Sequence, residues 1–346
     1  MARLIDTART RLQAGLDAYR QRWKRRGLLW RALRARAALH AVADRTAAIR
    51  AQDILCFVTV RNEGLRLPFF LDHHRRLGVR HFLIVDNDSD DGSPAMLAAQ
   101  PDVSLWRTSA SYRGSRFGMD WINALLARHG SGHWCLTLDA DEILIYPDWQ
   151  ARDLAALTAW LDARRAPAFA ALMLDLYPKG PLAQAVHRPG DDPVTVLPWF
   201  DASGYSREHQ TRWHNVSIRG GVRRRVFFAD RPAHAPHLHK TPLIRWHWRY
   251  AYLSSTHIAL PRRLNRGFHP GPLPTGVLLH TKFLPQVLEK SAEEKQRRQH
   301  FTHAERYDDY YDRLLANPDL WDPQISVRYQ GWQHLMALGL MQAGDW

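Results

Sequence analysis

Leu136-Thr137-Leu138-Asp139-Ala140-Asp141-Glu142-Ile143-Leu144 is a short apolar run interrupted by three carboxylates within four residues. Led in by Trp134 and Cys135, it reads as a buried strand that delivers its acids at the carboxyl end. Continued strand alternation puts Asp139 and Asp141 on one face, with small Ala140 between them. Acids held side by side repel, and a neighbouring cation relieves that repulsion. Hard divalent ions such as Mg²⁺ take oxygen ligands, commonly one or two carboxylates plus substrate phosphates. The same spacing also suits solvated acids at a strand end and a helix-capping Asp.

Upstream, Ile54–Val60 is an apolar, β-branched strand followed by the polar turn Arg61-Asn62-Glu63-Gly64. A helix carrying Phe69, Phe70, Leu71 and Leu77 stops at Gly78. His81–Val85 is the next strand, with the loop Asp86-Asn87-Asp88-Ser89-Asp90-Asp91-Gly92-Ser93 behind it. A short helix, a strand at Val103–Arg107 and a helix near Arg116–Arg128 lead to the acidic strand. Strands roughly 25 residues apart, each followed by a helix, indicate βαβ units and a parallel sheet. In open sheets of that kind ligands bind beyond the carboxyl ends of the strands. Thr59–Glu63, Asp86–Ser93 and Asp139–Glu142 all fall there.

Downstream the pattern is less regular. A helix around Gln150–Arg164 leads to a strand at Phe169–Leu176, and 178–215 is rich in Pro, Gly and aromatic residues. Gly220-Gly221 between Val216-Ser217-Ile218 and Val222–Phe228 reads as a hairpin. Short strands near Leu243–Trp248, Ala251–Ser255 and Val277–Phe283 precede helices at Pro285–His300 and Ala304–Leu315. The expected organisation is a basic helical extension over 1–50, an α/β domain over 51–316, and a tail over 317–346. Within the domain, 51–147 is the nucleotide-binding half and 148–316 a loop- and hairpin-rich lid and acceptor half.

The 346 residues are 45% apolar and 24% charged, an ordinary globular composition. Net charge is +14, but residues 1–50 hold 13 Lys/Arg against 3 Asp/Glu, so the body is nearly balanced. That weakens a nucleic-acid-binding reading of the domain. In the extension, Trp23, Leu28, Leu29, Trp30 and Leu33 form an apolar face among cations, suited to anionic lipid, to packing on the domain, or to a partner. Cys56 and Cys135 each fall inside an expected buried strand, as fits a reducing cytosol. No secretory leader is expected, because Arg and Asp interrupt the N-terminal stretch throughout, and no apolar run approaches the roughly 18 residues that span a bilayer. A cytoplasmic location, with a peripheral position on the inner membrane face, is the expectation.

Neither G-x-G-x-x-G after the first strand, nor a P-loop, nor a G-x-S-x-G elbow occurs. The loops offer acids and amides instead, groups suited to a base or ribose, while a metal at Asp139 and Asp141 would hold a diphosphate.

In order, Thr59-Val60-Arg61-Asn62-Glu63, Val85–Gly92 and Leu138-Asp139-Ala140-Asp141-Glu142 resemble successive motifs of family 2-type glycosyltransferases of the GT-A fold. The bacterial branch related to the DUF23 and family 92 enzymes is the nearest in pattern. Trp121-Ile122-Asn123, Gly220–Arg223, Lys240-Thr241-Pro242-Leu243, Ser254–His257 and Leu279-His280-Thr281-Lys282-Phe283 are similar to its later motifs. The resemblance covers roughly residues 53–310.

It implies a nucleotide-diphosphate sugar donor, Mn²⁺ or Mg²⁺, and transfer with inversion to a hydroxyl of a glycan, a lipid-linked sugar or another acceptor, as in polysaccharide biosynthesis. Thr59, Arg61, Asn62 and Glu63 would line the nucleotide pocket, with Asp86 on the base and Asn87 and Asp91 nearby. Asp139 would lie near the ribose or metal, Asp141 would coordinate the metal, and His280 would be a metal or diphosphate ligand. Arg116 would meet the diphosphate. The drawn-out Asp86–Ser93 loop departs from the usual Asp-Asp-Gly-Ser pattern.

Inverting transfer needs a carboxylate or His within reach of the acceptor hydroxyl. Asp175 is the first candidate base, then Glu208 and Glu142, and for each a capping or ion-pair role stands beside it. His234-x-x-His237-x-His239 lacks established zinc spacing and reads as loop histidines near an anionic ligand. Arg223-Arg224-Arg225 cannot all face one ligand on a strand. The aromatics Trp199, Trp213, Trp246, Trp248, Tyr250 and Tyr252 suit core or lid packing more than sugar stacking. A metal-dependent hydrolase or phosphotransferase using the same acids, and a non-catalytic binder of anionic polymer or membrane, are the alternatives.

Overall fold

The computed structural model describes residues 2–297 and 308–346. The strands are β1 (His40–Ala43), β2 (Ile54–Val60), β3 (Val79–Asp86), β4 (Val103–Arg107), β5 (Trp134–Asp139), β6 (Glu142–Ile145), β7 (Ala168–Asp175) and β8 (Trp199–Asp201). They continue with β9 (Ser206–Gln210), β10 (Asn215–Arg219), β11 (His239–Arg245), β12 (Ala251–Ser254), β13 (Ile258–Leu260), β14 (Gly276–His280) and β15 (Ser326–Arg328). Nine form one sheet in the order β1-β4-β3-β2-β5-β11-β7-β14-β6. β2 pairs in parallel with β3 on one side and β5 on the other, so the chain order reverses there. Such a switch point opens a crevice at the carboxyl edge.

The sheet is mixed. β2 to β5, β7 and β14 share one direction, whereas β1, β6 and β11 run against it. Continuous apolar runs build the first strands because helices cover both faces. Cys56 and Val58 pack with Leu67, Phe70 and Leu71 and with Leu154 and Leu157, while Leu55 and Phe57 face Trp121, Ile122 and Tyr252. The helices involved are α1 (Ala2–Ala35), α2 (Leu67–Arg76), α3 (Ser93–Ala98), α4 (Met119–Leu125) and α5 (Leu154–Ala163). α5 starts where Asp153 accepts from the Ala156 N–H at 2.9 Å. Cys56 and Cys135 are buried free thiols. No helix among the described residues is long and apolar enough to cross a membrane.

The 1–50 segment is joined to the body. β1 adds an antiparallel edge to β4, and α1 buries Gln21, Leu28 and Ala32. Leu28 therefore turns inward, away from Trp23 and Trp30, which are exposed. Helical geometry forces that split, since residues 23 and 28 differ by about 140° around the axis. The 317–346 segment also packs, with Leu335, Leu340 and Met341 in the core beside β6 and β14. The hairpin is β9 with β10, not β10 with Val222–Phe228. Gly221 takes φ +66°, a left-handed turn that releases the chain into the helical turn Arg223–Phe227. The helices expected at 285–300 and 304–315 are Gln286–Arg297 and Asp308–Leu315; residues 298–300 and 304–307 of the expected spans lie outside the described residues.

Candidate active site

At the carboxyl edge, β2 presents Thr59 and β3 presents Asp86. Asp86 is fully buried. Its Oδ2 accepts from the Ser89 N–H at 3.3 Å and lies 3.8 Å from Arg107 Nε. Its Oδ1 has no hydrogen-bond partner among the described residues, and neither do the buried Thr59 Oγ1 and Arg61 Nε. A buried polar atom left unpaired costs about 1–3 kcal/mol, more for a charged group. Three such atoms lie along this one edge. Gly118 closes one side of it. Its φ is +76°, and a Cβ there would stand 2.8 Å from Thr59 Oγ1, so only glycine lets this loop approach.

Several expected pocket residues instead shape the loops. Asn62, at φ +51°, accepts from the Asp90 N–H. Asn87 Nδ2 donates to the Thr108 and Ala110 carbonyls. Asp91 accepts from the N–H groups of Gly64 and Ser93 at the start of α3. Glu63 is paired with Arg66 at 2.7 Å and with Lys290. Arg61 donates to the carbonyls of Asn87 and Asp88 and reaches Glu293 at 3.2 Å. Arg116 is engaged by Asp120 and the Leu253 carbonyl.

The acidic stretch is not one strand. The chain turns at Ala140-Asp141, and β6 resumes at the far edge of the sheet beside β14. The two aspartates consequently meet different partners. Asp139, level with Thr59 across β2 and β5, is half-exposed and takes Lys240 Nζ at 2.9 Å. That buried ammonium also hydrogen-bonds Glu142, which is wholly enclosed. Burial raises the Glu142 carboxyl, with Lys240 opposing. Burial works against the Lys240 charge, but the two carboxylates overcome it and hold the ammonium form.

Asp141 belongs to a second chain of contacts. His280 Nε2 lies 3.1 Å from Asp141 Oδ2, and His280 Nδ1 lies 2.6 Å from Asp175 Oδ1. Arg223 Nε then binds Asp175 Oδ2 at 2.8 Å. Burial alone would raise both acids, but His280, Arg66 and Lys282 hold Asp141 well below the usual range, and Arg223 with His280 takes Asp175 to about 2. Burial opposes charge on His280, yet the flanking Asp141 and Asp175 raise its pKa. Lys282 is brought down to about 8 by burial and by the nearby Arg223.

These residues bear directly on a divalent ion. Neighbouring ligands on an octahedral ion with 2.0–2.1 Å bonds lie roughly 3 Å apart. Asp141 Oδ2 and His280 Nε2 have that separation, and Asp175 behind the imidazole is the kind of support that fixes a ligating histidine. Among the described residues no group of three His, Cys, Asp or Glu side chains is arranged to hold a metal. An ion here would have two protein ligands and take the rest from phosphate and water. Asp139 is directed to Lys240 instead.

The three carboxylates weighed as bases are not free. Asp175 has both oxygens engaged. Glu142 binds Lys240 through Oε1 and the Asp139 N–H through Oε2. Glu208 stands exposed on the outer strand of the β9–β10 ribbon, 4.0 Å from Arg219. The histidine run is structural as well. His239 accepts from the Ile218 N–H and contacts Asn215, His237 contacts Ser217 and Arg219, and burial lowers them to about 3 and about 4. Arg223 and Arg225 reach buried Asp175 and Asp201, while Arg224 turns to Ser206. Lys240, Arg66 and Lys282 had been given no role by sequence alone. Lys240 sits second in β11, between His239 and Thr241, and nothing around it in the sequence marks its carboxylate partners.

No family model matches the chain, and no curated protein matches it. Among solved structures, a UDP-glucose pyrophosphorylase from Acinetobacter baumanii aligns at 10% identity over 37% of this chain and 57% of that one, with TM-score 0.23. A 4-diphosphocytidyl-2C-methyl-D-erythritol synthase from Anaerococcus prevotii aligns at 15% identity over 38% and 59%, with the same TM-score. The alignments span less than two thirds of either structure, and a likeness at that score carries no argument about this chain.

Proposed function

We propose that the chain is a GT-A glycosyltransferase that moves a sugar, with inversion, from a nucleotide-diphosphate donor to an acceptor hydroxyl and uses Mn²⁺ or Mg²⁺. The observation that carries the reading is the unpaired trio Thr59 Oγ1, Arg61 Nε and Asp86 Oδ1 at the switch-point crevice. A nucleoside has the groups to complete it, because base N–H donors suit a carboxylate oxygen and ribose hydroxyls suit the other two. The ordered motif resemblance supports the same class.

In this reading Asp86 orients the base. Asp141 and His280 would hold the cation, which supplies Lewis-acid stabilisation of the departing diphosphate. Asp175, anchored by Arg223, keeps the His280 ring in place. Lys240 holds Asp139 and Glu142 together so that their charges do not oppose an anionic donor. Arg66 and Lys282 add positive charge beside Asp141, where negative charge develops on the leaving group. The resemblance implies an acceptor hydroxyl on a glycan, a lipid-linked sugar or another molecule.

A thermal-shift panel of UDP, GDP, CDP and TDP, with and without Mn²⁺, tests this on wild type, Asp86→Ala and Asp141→Ala. The expected result is a rise in Tm with one nucleotide that depends on Asp86, with a Mn²⁺-dependent part that depends on Asp141. No shift with any nucleotide sinks the reading. Release of phosphate or sugar without an acceptor, indifferent to the nucleotide, would favour a hydrolase.

A further inference from the structure

We propose that α1 lays its outward face on an anionic bilayer surface. The inference does not rest on the transferase reading.

α1 has two opposed stripes. Gln21, Leu28 and Ala32 lie on the buried one, and Arg31 ties the helix to Asp120 of α4 at 2.7 Å. On the other, Leu16, Tyr19, Trp23, Trp30 and Leu33 are each between 45% and 60% exposed. Steps of three, four, seven and three residues keep these five within about a third of a turn, along roughly 25 Å of helix. Isolated exposed apolar residues need no explanation, but an aligned stripe with three aromatic rings marks an interaction surface.

Its charge selects the partner. Residues 18–36 contain eight Lys/Arg and no Asp or Glu. Arg26 stacks over Trp23 at 4.8 Å and Arg34 over Trp30 at 4.7 Å, so cations lie among the aromatics. Arg20 and Arg22 flank them and are exposed. Rings that seat at the depth of lipid headgroups, edged by arginines that meet phosphate, match an interfacial helix on acidic phospholipid. A second copy of the same face would set like charges against each other. Arg25 is crowded by Arg22, Arg249 and Arg263, and exposed Trp248 carries Arg249 over its ring at 4.6 Å, so the basic, aromatic character continues onto the body beside the helix.

The test is sedimentation of the full chain with vesicles of phosphatidylcholine alone or mixed with phosphatidylglycerol, at low and high salt. Trp23→Glu/Trp30→Glu and Arg26→Glu/Arg34→Glu are compared with wild type after their unchanged melting curves establish folding. Binding to the mixed vesicles should exceed binding to phosphatidylcholine by about tenfold or more, weaken in high salt, and fall at least about tenfold in each variant. Absence of vesicle binding, or equal binding by variants and wild type, overturns the proposal. So does a wild-type dimer that both variants dissolve, which would assign the face to a second copy. Retention of a DNA or RNA duplex without vesicle binding would assign it to nucleic acid. Vesicle binding without any nucleotide-induced shift leaves this inference standing and removes only the transferase reading.

Discussion

Lys240 stands with its ammonium 2.9 Å from Asp139 and in contact with Glu142, so one lysine from β11 neutralises acids at the end of β5 and the start of β6. A cation had been expected at this acidic strand end; the chain supplies one itself.

Lys240→Met is expected to destabilise the protein by about 3–5 kcal/mol near neutral pH, because a buried carboxylate is left without its partner. Urea unfolding measures it. The deficit should shrink as pH falls toward 5. Glu142 in the variant has a folded pKa raised by burial, and such a group favours the folded state below its unfolded pKa and loses that contribution as pH rises through the folded one. A deficit independent of pH would show that Glu142 is not the group left uncompensated.

The first half of the fold was legible because hydrophobic period and turn residues agree there. Ile54–Val60, His81–Val85 and Val103–Arg107 are strands where the pattern puts them, and the three polar loops share one edge. Asp139 and Asp141 were misread because alternation holds only while a strand continues, and nothing in Ala140-Asp141 announces a turn. Arg223–Phe227 was misread for a related reason. Its apolar and basic residues suit a strand, but buried Asp175 and Asp201 draw Arg223 and Arg225 inward from a helical turn. Partners distant in sequence, such as Lys240 for Glu142, leave no local mark.

His280→Gln removes an imidazole held between Asp141 and Asp175. Those partners raise its pKa in the folded chain above the usual 6.5. Its contribution is therefore complete below pH 6.5 and is lost as pH rises through the folded value. In chelator-treated protein, the stability gap between wild type and variant should be largest near pH 6 and narrow toward alkaline pH. A gap that widens with pH would show that the ring is neutral in the folded state.

Asp86→Asn keeps the size of the side chain and replaces part of the acceptor with an amide donor. If Asp86 Oδ1 receives a base N–H, nucleotide affinity should fall roughly tenfold to a hundredfold, the range of a hydrogen bond to a charged group. The melting temperature without ligand should change little, because that oxygen has no partner among the described residues. Titration calorimetry with the nucleotide chosen by the thermal-shift panel reads the first quantity. Unchanged affinity would remove Asp86 from the pocket.

Asp120 is the joint between the basic helix and the crevice wall. It is buried, takes Arg31 of α1 at 2.7 Å and Arg116 at 2.7 Å, and stands two residues after Gly118, which meets Thr59. Asp120→Ala leaves Arg116 largely enclosed without its counter-ion, at a cost of about 3–5 kcal/mol. Arg31→Ala should cost only about 1 kcal/mol, since that guanidinium is half in water. Hydrogen exchange separates the two effects. In Asp120→Ala, protection should drop both in 18–35 and in the 112–120 loop, and nucleotide binding should weaken with it. In Arg31→Ala, 18–35 should exchange faster, and the 112–120 loop, which loses only the contact of Arg31 with the Gly114 carbonyl at 2.9 Å, should lose less protection than in Asp120→Ala. Identical exchange maps for the two variants would mean that Asp120 anchors the helix alone and does not brace the loop beside Thr59.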